Sequence, residues 1–329
     1  MLTALSTRTS QVHHPTSLSR IKVPCLHFFI QDTEANTNTI ILEDIQDAVD
    51  LKSLLVSPST SPSLSHTHAT STGYSLGSWL RSYHAWISSP SSTPSALCSA
   101  ISTNSENMRR LKHDITYNIF IEIIAQFPEV TARLTGGERK SLEDVKEMAD
   151  GEFDRKVAMG DDSGEWGIIH GDFWTGNILL SPAIPSQQPT EEPEPEPEPL
   201  PNLFIIDWES TQFGHRAYDI GQMIGDLLER QHFSHNNSNG DAAVLALEGF
   251  IDGYGAVSEE MAFRIAVHAG VQLVTWVARG PPLHMRPAWA TRERVVGIVE
   301  MGVRFILRGW GRDREWIGGS VLKGLVGDV

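Results

Sequence analysis

Two apolar runs that each end on a polar cluster constrain this chain more than any other feature. Trp166 to Leu180 reads WGIIHGDFWTGNILL: a buried-looking strand, then His170, Asp172, Thr175 and Asn177 in a short loop, then a second apolar strand. Further on, LFIIDWES brings another apolar run to a carboxylate at Asp207. Short apolar runs bounded by turn signals read as buried strands. Between the two runs lies Ala183 to Pro201, AIPSQQPTEEPEPEPEPLP, a Glu-Pro repeat expected to be extended and solvated, a tolerated insertion in a surface connection. With that insertion set aside, NILL and LFIID form one hairpin, and Asn177 and Asp207 fall at the same end of it.

The chemistry of that end follows from residue type and spacing. The pattern Asp-x-x-x-x-Asn from Asp172 to Asn177 matches the kinase catalytic loop, where the Asp accepts the substrate hydroxyl proton and the Asn holds Mg²⁺. Asp207, closing an apolar strand, matches the metal-binding Asp of the kinase magnesium loop. Mg²⁺ is usually held by one or two protein oxygens, with phosphate and water supplying the rest. A lone His-Gly-Asp is also compatible with a simple turn or with a metal hydrolase. A hydrolase needs further His or carboxylate ligands, and none stands nearby at metal-binding spacing.

HGDFWTGNILL, followed by IIDWE and then AYDIG, resembles the aminoglycoside phosphotransferase, choline kinase and methylthioribose kinase family, and its fungal-type members in particular. VPCLHFFIQDTEANTNTIILEDI is similar to that family's strand pair leading into the adenine hinge, and LGSWLRSYHAW to the helix after it. The resemblance runs from about Val23 to the C-terminus. It implies an α+β, protein-kinase-like bilobal fold, ATP and Mg²⁺ as cofactors, and a small-molecule hydroxyl as acceptor. It makes Asp172 the catalytic base, Asn177 and Asp207 the metal ligands, and Glu43, Asp44 and Ile45 the nucleotide hinge. His170 and Asp219 become structural support for the loop, although Asp219 also suits a helix cap. Trp276, Arg279 and Arg286 are candidates for the acceptor pocket, with core Trp and surface Arg the better readings.

Composition narrows the partners. A net charge of −15, which would be −10 without the five Glu of the insertion, argues against a nucleic-acid surface. It favours an acceptor bearing amino groups. Two cysteines make neither a disulfide framework nor a zinc site and suit a reducing, cytoplasmic setting. No apolar run reaches the roughly 18–20 residues of a membrane span.

The chain divides on this reading into an unmatched, disordered 1–20, a remnant of a small β lobe and hinge over 21–50, and a helical C-terminal lobe over 51–329. The 1–20 segment reads as a ragged start rather than a transit peptide. Ser/Thr/Pro-rich stretches at 58–73 and 88–107, with the 183–201 repeat, are expected to be disordered inserts. Helices are expected over Ser75 to Trp86, Arg109 to Phe127 and from Ser141, and after Asp207 over Asp219 to Gln231, Ala242 to Gly253, Glu259 to Arg279 and Thr291 to Gly309.

One part of the family's pattern is missing. No GxGxxG or GxxxxGK[ST] occurs, and Lys22, the one Lys before the hinge, sits in the wrong element to anchor ATP. The small lobe is therefore expected to be incomplete, with N-terminal truncation favoured as the cause and the activity of this chain in doubt. The alternative is a catalytically inactive, pseudokinase-like binding module.

Overall fold

The computed structural model describes residues 20–32, 37–56, 64–87, 101, 106–154, 164–181, 200–234, 237–278, 285 and 290–327. The expected N-terminal segment, the core of the Glu-Pro insertion, Arg279 and Arg286 lie outside them.

Strand β1 is Ile21–Lys22, and Pro24 ends it, so the run expected from Ile21 to Ile30 is divided. Strands β2 (Leu26–Asp32) and β3 (Thr37–Leu42) form an antiparallel ribbon. Strand β4 (Val49–Asp50) passes directly into helix α1 (Leu51–Val56). Asp50 caps that helix by accepting from Ser53 N at 2.8 Å and Ser53 Oγ at 2.7 Å. Helix α2 then runs from His66 to Ile87.

Its first turns correct an expectation, because 66–73 was read as part of a disordered insert. Ala69 and Thr72 are fully buried. A Cβ on Gly73 would sit 2.0 Å from Ala246 O, and one on Gly249 would sit 2.3 Å from Thr70 O. The small residues are there because two helix backbones touch. A segment rich in Ser, Thr, Ala and Gly reads as a loop until its partner is known.

Helices α3 (Glu106–Thr116) and α4 (Phe120–Ala125) replace the single helix expected over Arg109 to Phe127. The break falls at Tyr117 and Asn118. Asn118 Nδ2 donates back to Asp114 at 2.7 Å, and the Tyr117 hydroxyl turns inward to His268 Nδ1 at 2.6 Å. After α5 (Pro128–Thr131), α6 (Gly136–Asp154) begins five residues before the expected Ser141. Thr135 and Glu138 form its capping box: Glu138 Oε2 accepts from Thr135 N at 2.8 Å, and Thr135 Oγ1 accepts from Glu138 N at 3.2 Å.

Four short strands follow: β5 (Trp166–Ile169), β6 (Ile178–Ser181), β7 (Asn202–Ile205) and β8 (Gln212–His215). The C-terminal helices are α7 (Ala217–Phe233), α8 (Asn237–Tyr254), α9 (Glu259–Ala278), α10 (Arg292–Trp310) and α11 (Arg314–Gly319). The four helices expected after Asp207 correspond to α7, α8, α9 and α10.

Strands β6 and β7 form the expected hairpin, with Ile178 opposite Ile205. It is the centre of a four-stranded sheet ordered β1-β7-β6-β4, in which β1 runs parallel to β7. Both ends of the 21–50 segment are therefore paired to the hairpin, and only the β2–β3 ribbon stands apart. The fold is α+β, with a large helical part and a small β part. The core lies where α2 meets α8 and where α9 packs on α7 and α10. On the ribbon, by contrast, Phe28 is 64% and Phe29 57% exposed, with Ile30, Ile40, Ile41 and Leu42 also exposed.

Candidate active site

Helix α7 builds the floor of the site with one face. Asp219, Gln222 and Asp226 stand at i, i+3 and i+7, the spacing that stacks side chains along a helix. Each meets a different part of the 170–177 loop. Asp219, fully buried, accepts from His170 N at 2.8 Å and Gly171 N at 2.9 Å. Gln222 Nε2 donates to Asp172 Oδ1 at 2.7 Å. Asp226 accepts from Thr175 N at 3.2 Å and from the Thr175 hydroxyl. A helix, which is stiff, thereby sets the course of a loop, which is not.

The loop's own residues complete the arrangement. Gly171 has φ +82°, and a Cβ there would come within 2.1 Å of Ser210 O, so the position suits Gly on both counts. His170 is fully buried, packs at 4.5 Å on the Trp208 ring, and bonds Ile206 O through Nε2 at 3.0 Å. Burial holds it below the usual histidine range. Asp219 also meets His84 Nε2 at 3.3 Å. Burial pushes the Asp219 carboxyl up, but the His84 bond and charge and the loop N–H donors outweigh it and hold it low.

Asp172 is half-buried and receives four side-chain donors. Oδ1 accepts from Gln222 and from Lys112 Nζ at 3.2 Å, and Oδ2 from Trp174 Nε1 at 3.2 Å and Asn177 Nδ2 at 3.0 Å. Burial alone would raise this carboxyl, and the Lys112 charge with the Gln222 and Lys112 bonds brings it below its ordinary value. The group is ionised at neutral pH, as a proton acceptor must be.

Asn177 donates to Asp172 and also hydrogen-bonds Asp207. The two loops expected to meet do meet. Asp207 holds a left-handed backbone, φ 65° and ψ 55°, just past β7. Burial and then the charges of Glu209 and Asp172 push its carboxyl up. A carboxylate crowded by two others is a place a cation relieves. Asp207 and the neighbouring Asn177 amide are the groups from which Mg²⁺ would take its one or two protein oxygens. Among the described residues no cluster of three or more His, Cys, Asp or Glu forms a metal site.

Glu43, Asp44 and Ile45 lie in the extended link between β3 and β4. Glu43 N donates to Cys25 O at 2.8 Å, and its carboxylate accepts from Cys25 N at 3.0 Å. Trp276 packs edge-on against Trp174 with ring centroids 5.1 Å apart, which brings it to the rim of the catalytic loop. The sequence reading missed Lys112, Gln222 and Asp226. DIGQMIGD carried the signal for two of them, because its polar residues recur at helical spacing on a helix that begins at the loop. Lys112 carried none.

No protein-family model matches the chain. A phosphotransferase, FrzJ, of Cladobotryum sp. is 28% identical over 305 residues, which is 92% of this chain and 69% of that protein. The 4-hydroxytryptamine kinase of Psilocybe cubensis is 24% identical over 138 residues, 41% of this chain and 32% of the kinase. Among solved structures, a choline/ethanolamine kinase family protein from Mesorhizobium loti aligns over 95% of this chain and 83% of its own, with TM-score 0.41 and 12% identity. An ethanolamine kinase of Plasmodium vivax aligns over 94% and 72%, with TM-score 0.38 and 12% identity. The two sequence relatives are named as a phosphotransferase and as a 4-hydroxytryptamine kinase.

Proposed function

We propose that this chain is an aminoglycoside phosphotransferase and choline kinase-like protein that uses ATP and Mg²⁺ to phosphorylate a hydroxyl of a small molecule. The observation that carries the reading is that Asp172, Asn177 and Asp207 converge at one end of the β6–β7 hairpin, with Asn177 bonded to both carboxylates. Asp172 accepts the proton of the acceptor hydroxyl as its oxygen bonds to phosphorus and ADP leaves. Asp207 and Asn177 would hold the metal, which would supply neutralisation of phosphate charge. Asp219, Gln222 and Asp226 position the loop, and the 43–45 link receives the adenine. An acceptor with amino groups suits the acidic chain, and 4-hydroxytryptamine, the substrate in one relative's name, is of that kind. The low cysteine count suits a cytoplasmic protein. Among the described residues no helix is long and apolar enough to cross a membrane.

The test is transfer from γ-labelled ATP to a panel of amino sugars, amino alcohols, phenols and sugars. Asp172→Asn is expected to lower turnover by about 10²- to 10⁴-fold while ATP binding stays nearly intact. Asp207→Asn should abolish Mg²⁺-supported transfer and weaken Mn²⁺ binding in a titration followed by electron paramagnetic resonance. Equal loss of nucleotide binding and turnover in Asp172→Asn would assign that residue to folding instead and sink the catalytic reading.

A further inference from the structure

A carboxylate offers about four lone-pair sites, and Asp172 has four side-chain donors, Lys112, Gln222, Trp174 and Asn177, on them. An acceptor hydroxyl that is to give Asp172 its proton must take one of those places. Asn177 is also tied to the Asp172 carbonyl at 2.9 Å, and Trp174 is wedged against Trp276 and lies beneath Lys52 at 5.2 Å. Gln222 is 6% exposed, on a buried helix, and makes the shortest of the four bonds. Lys112 differs from all three. It reaches in on a long flexible stem, and Gln222 Oε1 accepts from its ammonium at 3.0 Å, so it keeps a partner if it leaves Oδ1.

The position of Lys112 is built rather than incidental. Three residues earlier on α3, Arg109 Nη2 donates to Glu152 O at 3.0 Å and Phe153 O at 2.7 Å, which fixes α3 to the end of α6. His113, the next residue, bonds Asp150 at 2.6 Å. Helix α3 is therefore docked on both sides of Lys112, with the ammonium aimed at the catalytic carboxylate.

Resting on the phosphotransferase reading, we propose that Lys112 determines acceptor specificity by supplying the cation beside Asp172 from the protein itself. The acceptor hydroxyl displaces the ammonium from Oδ1, and Lys112 stays on Gln222 within the same pocket. An acceptor whose own ammonium lies next to the reacting hydroxyl, a vicinal amino alcohol, would bring a second positive charge to a place that already holds one. Phenols, sugars and amines remote from the reacting hydroxyl meet no such conflict. The chain therefore selects hydroxyls with a neutral or anionic immediate neighbourhood.

Choline and its uncharged isostere 3,3-dimethylbutan-1-ol separate this charge effect from shape. Binding of each probe to the full chain, its Lys112→Met variant and its Lys112→Arg variant is to be measured by saturation-transfer NMR, alongside phosphate transfer from γ-labelled ATP. The wild type and Lys112→Arg should favour the isostere by at least about tenfold, and Lys112→Met should reverse that preference by gaining choline. Equal binding of the two probes by the wild type, or no gain of choline in Lys112→Met, would overturn the proposal. If the binding preference behaves as stated but no hydroxyl is phosphorylated in a manner dependent on Asp172, the specificity role stands and the phosphotransferase reading falls.

Discussion

At Glu229 burial works against charge. The residue lies one helical turn beyond Asp226 on α7, where Arg230 bonds Asp226 Oδ1 at 2.8 Å and Glu229 Oε1 at 3.0 Å. Glu229 Oε2 has no hydrogen-bond partner among the described residues. Burial, with the Asp226 charge and against the Arg230 charge, pushes the Glu229 carboxyl up to about 7. A carboxyl raised on folding keeps its proton in the native state while the unfolded chain releases it. Stability is thus undiminished below about pH 4.5 and falls as pH rises towards 7. Glu229→Gln is expected to change the urea midpoint little at pH 5 and to raise stability at pH 8 by up to about 3 kcal/mol, at about 1.4 kcal/mol per pKa unit. A larger gain at pH 5 than at pH 8 would refute the argument. The same helix shows what the sequence disclosed of the site. His170, Asp172, Asn177 and Asp207 were legible because their chemistry is local to two loops. Gln222 and Asp226 needed one further step, the reading of a helical stripe against a loop. Lys112 lies sixty residues before Asp172 on a helix of its own, and no local pattern ties the two together.

Helix α2 shows where element-level reading fails. Ser75 to Trp86 declared itself through its apolar spacing, yet the preceding turns are helical too, and their residues are buried by another backbone. Gly73 and Gly77 face α8, and Gly249 and Gly253 face α2, each with a backbone atom within 2.0–2.3 Å of a notional Cβ. Such contact cannot yield as a flexible side chain would. Gly73→Ala is expected to cost about 3 kcal/mol or more, at or above the upper end of overpacking effects, seen as a lowered urea midpoint. By comparison, Gly136→Ala, where nothing lies within 4 Å of the added carbon, should be neutral or slightly stabilising. The early start of α6 was readable in principle, since Thr135-Gly-Gly-Glu138 itself obeys the Ser/Thr-x-x-Glu capping rule.

Across the whole molecule, the apolar surface is unevenly distributed. The β2–β3 ribbon carries six large exposed apolar residues and is a separate two-stranded sheet. Unpaired strand edges with such side chains pair with other chains. Sedimentation of the 329-residue protein should therefore show concentration-dependent association, and Phe29→Lys with Ile40→Glu should abolish it. Association that persists in the double variant would place the contact elsewhere. The β6–β7 hairpin tolerates more. Its strands are held in register by their own pairing and by β1 and β4, and the residues that do chemistry stand at one end while the 182–199 segment joins the other. Four paired positions on each strand lie between the catalytic end of the hairpin and its far end at Ser181 and Asn202. A fluorophore or an affinity handle anchored at that far end would be attached a full strand's length from the residues that do the chemistry.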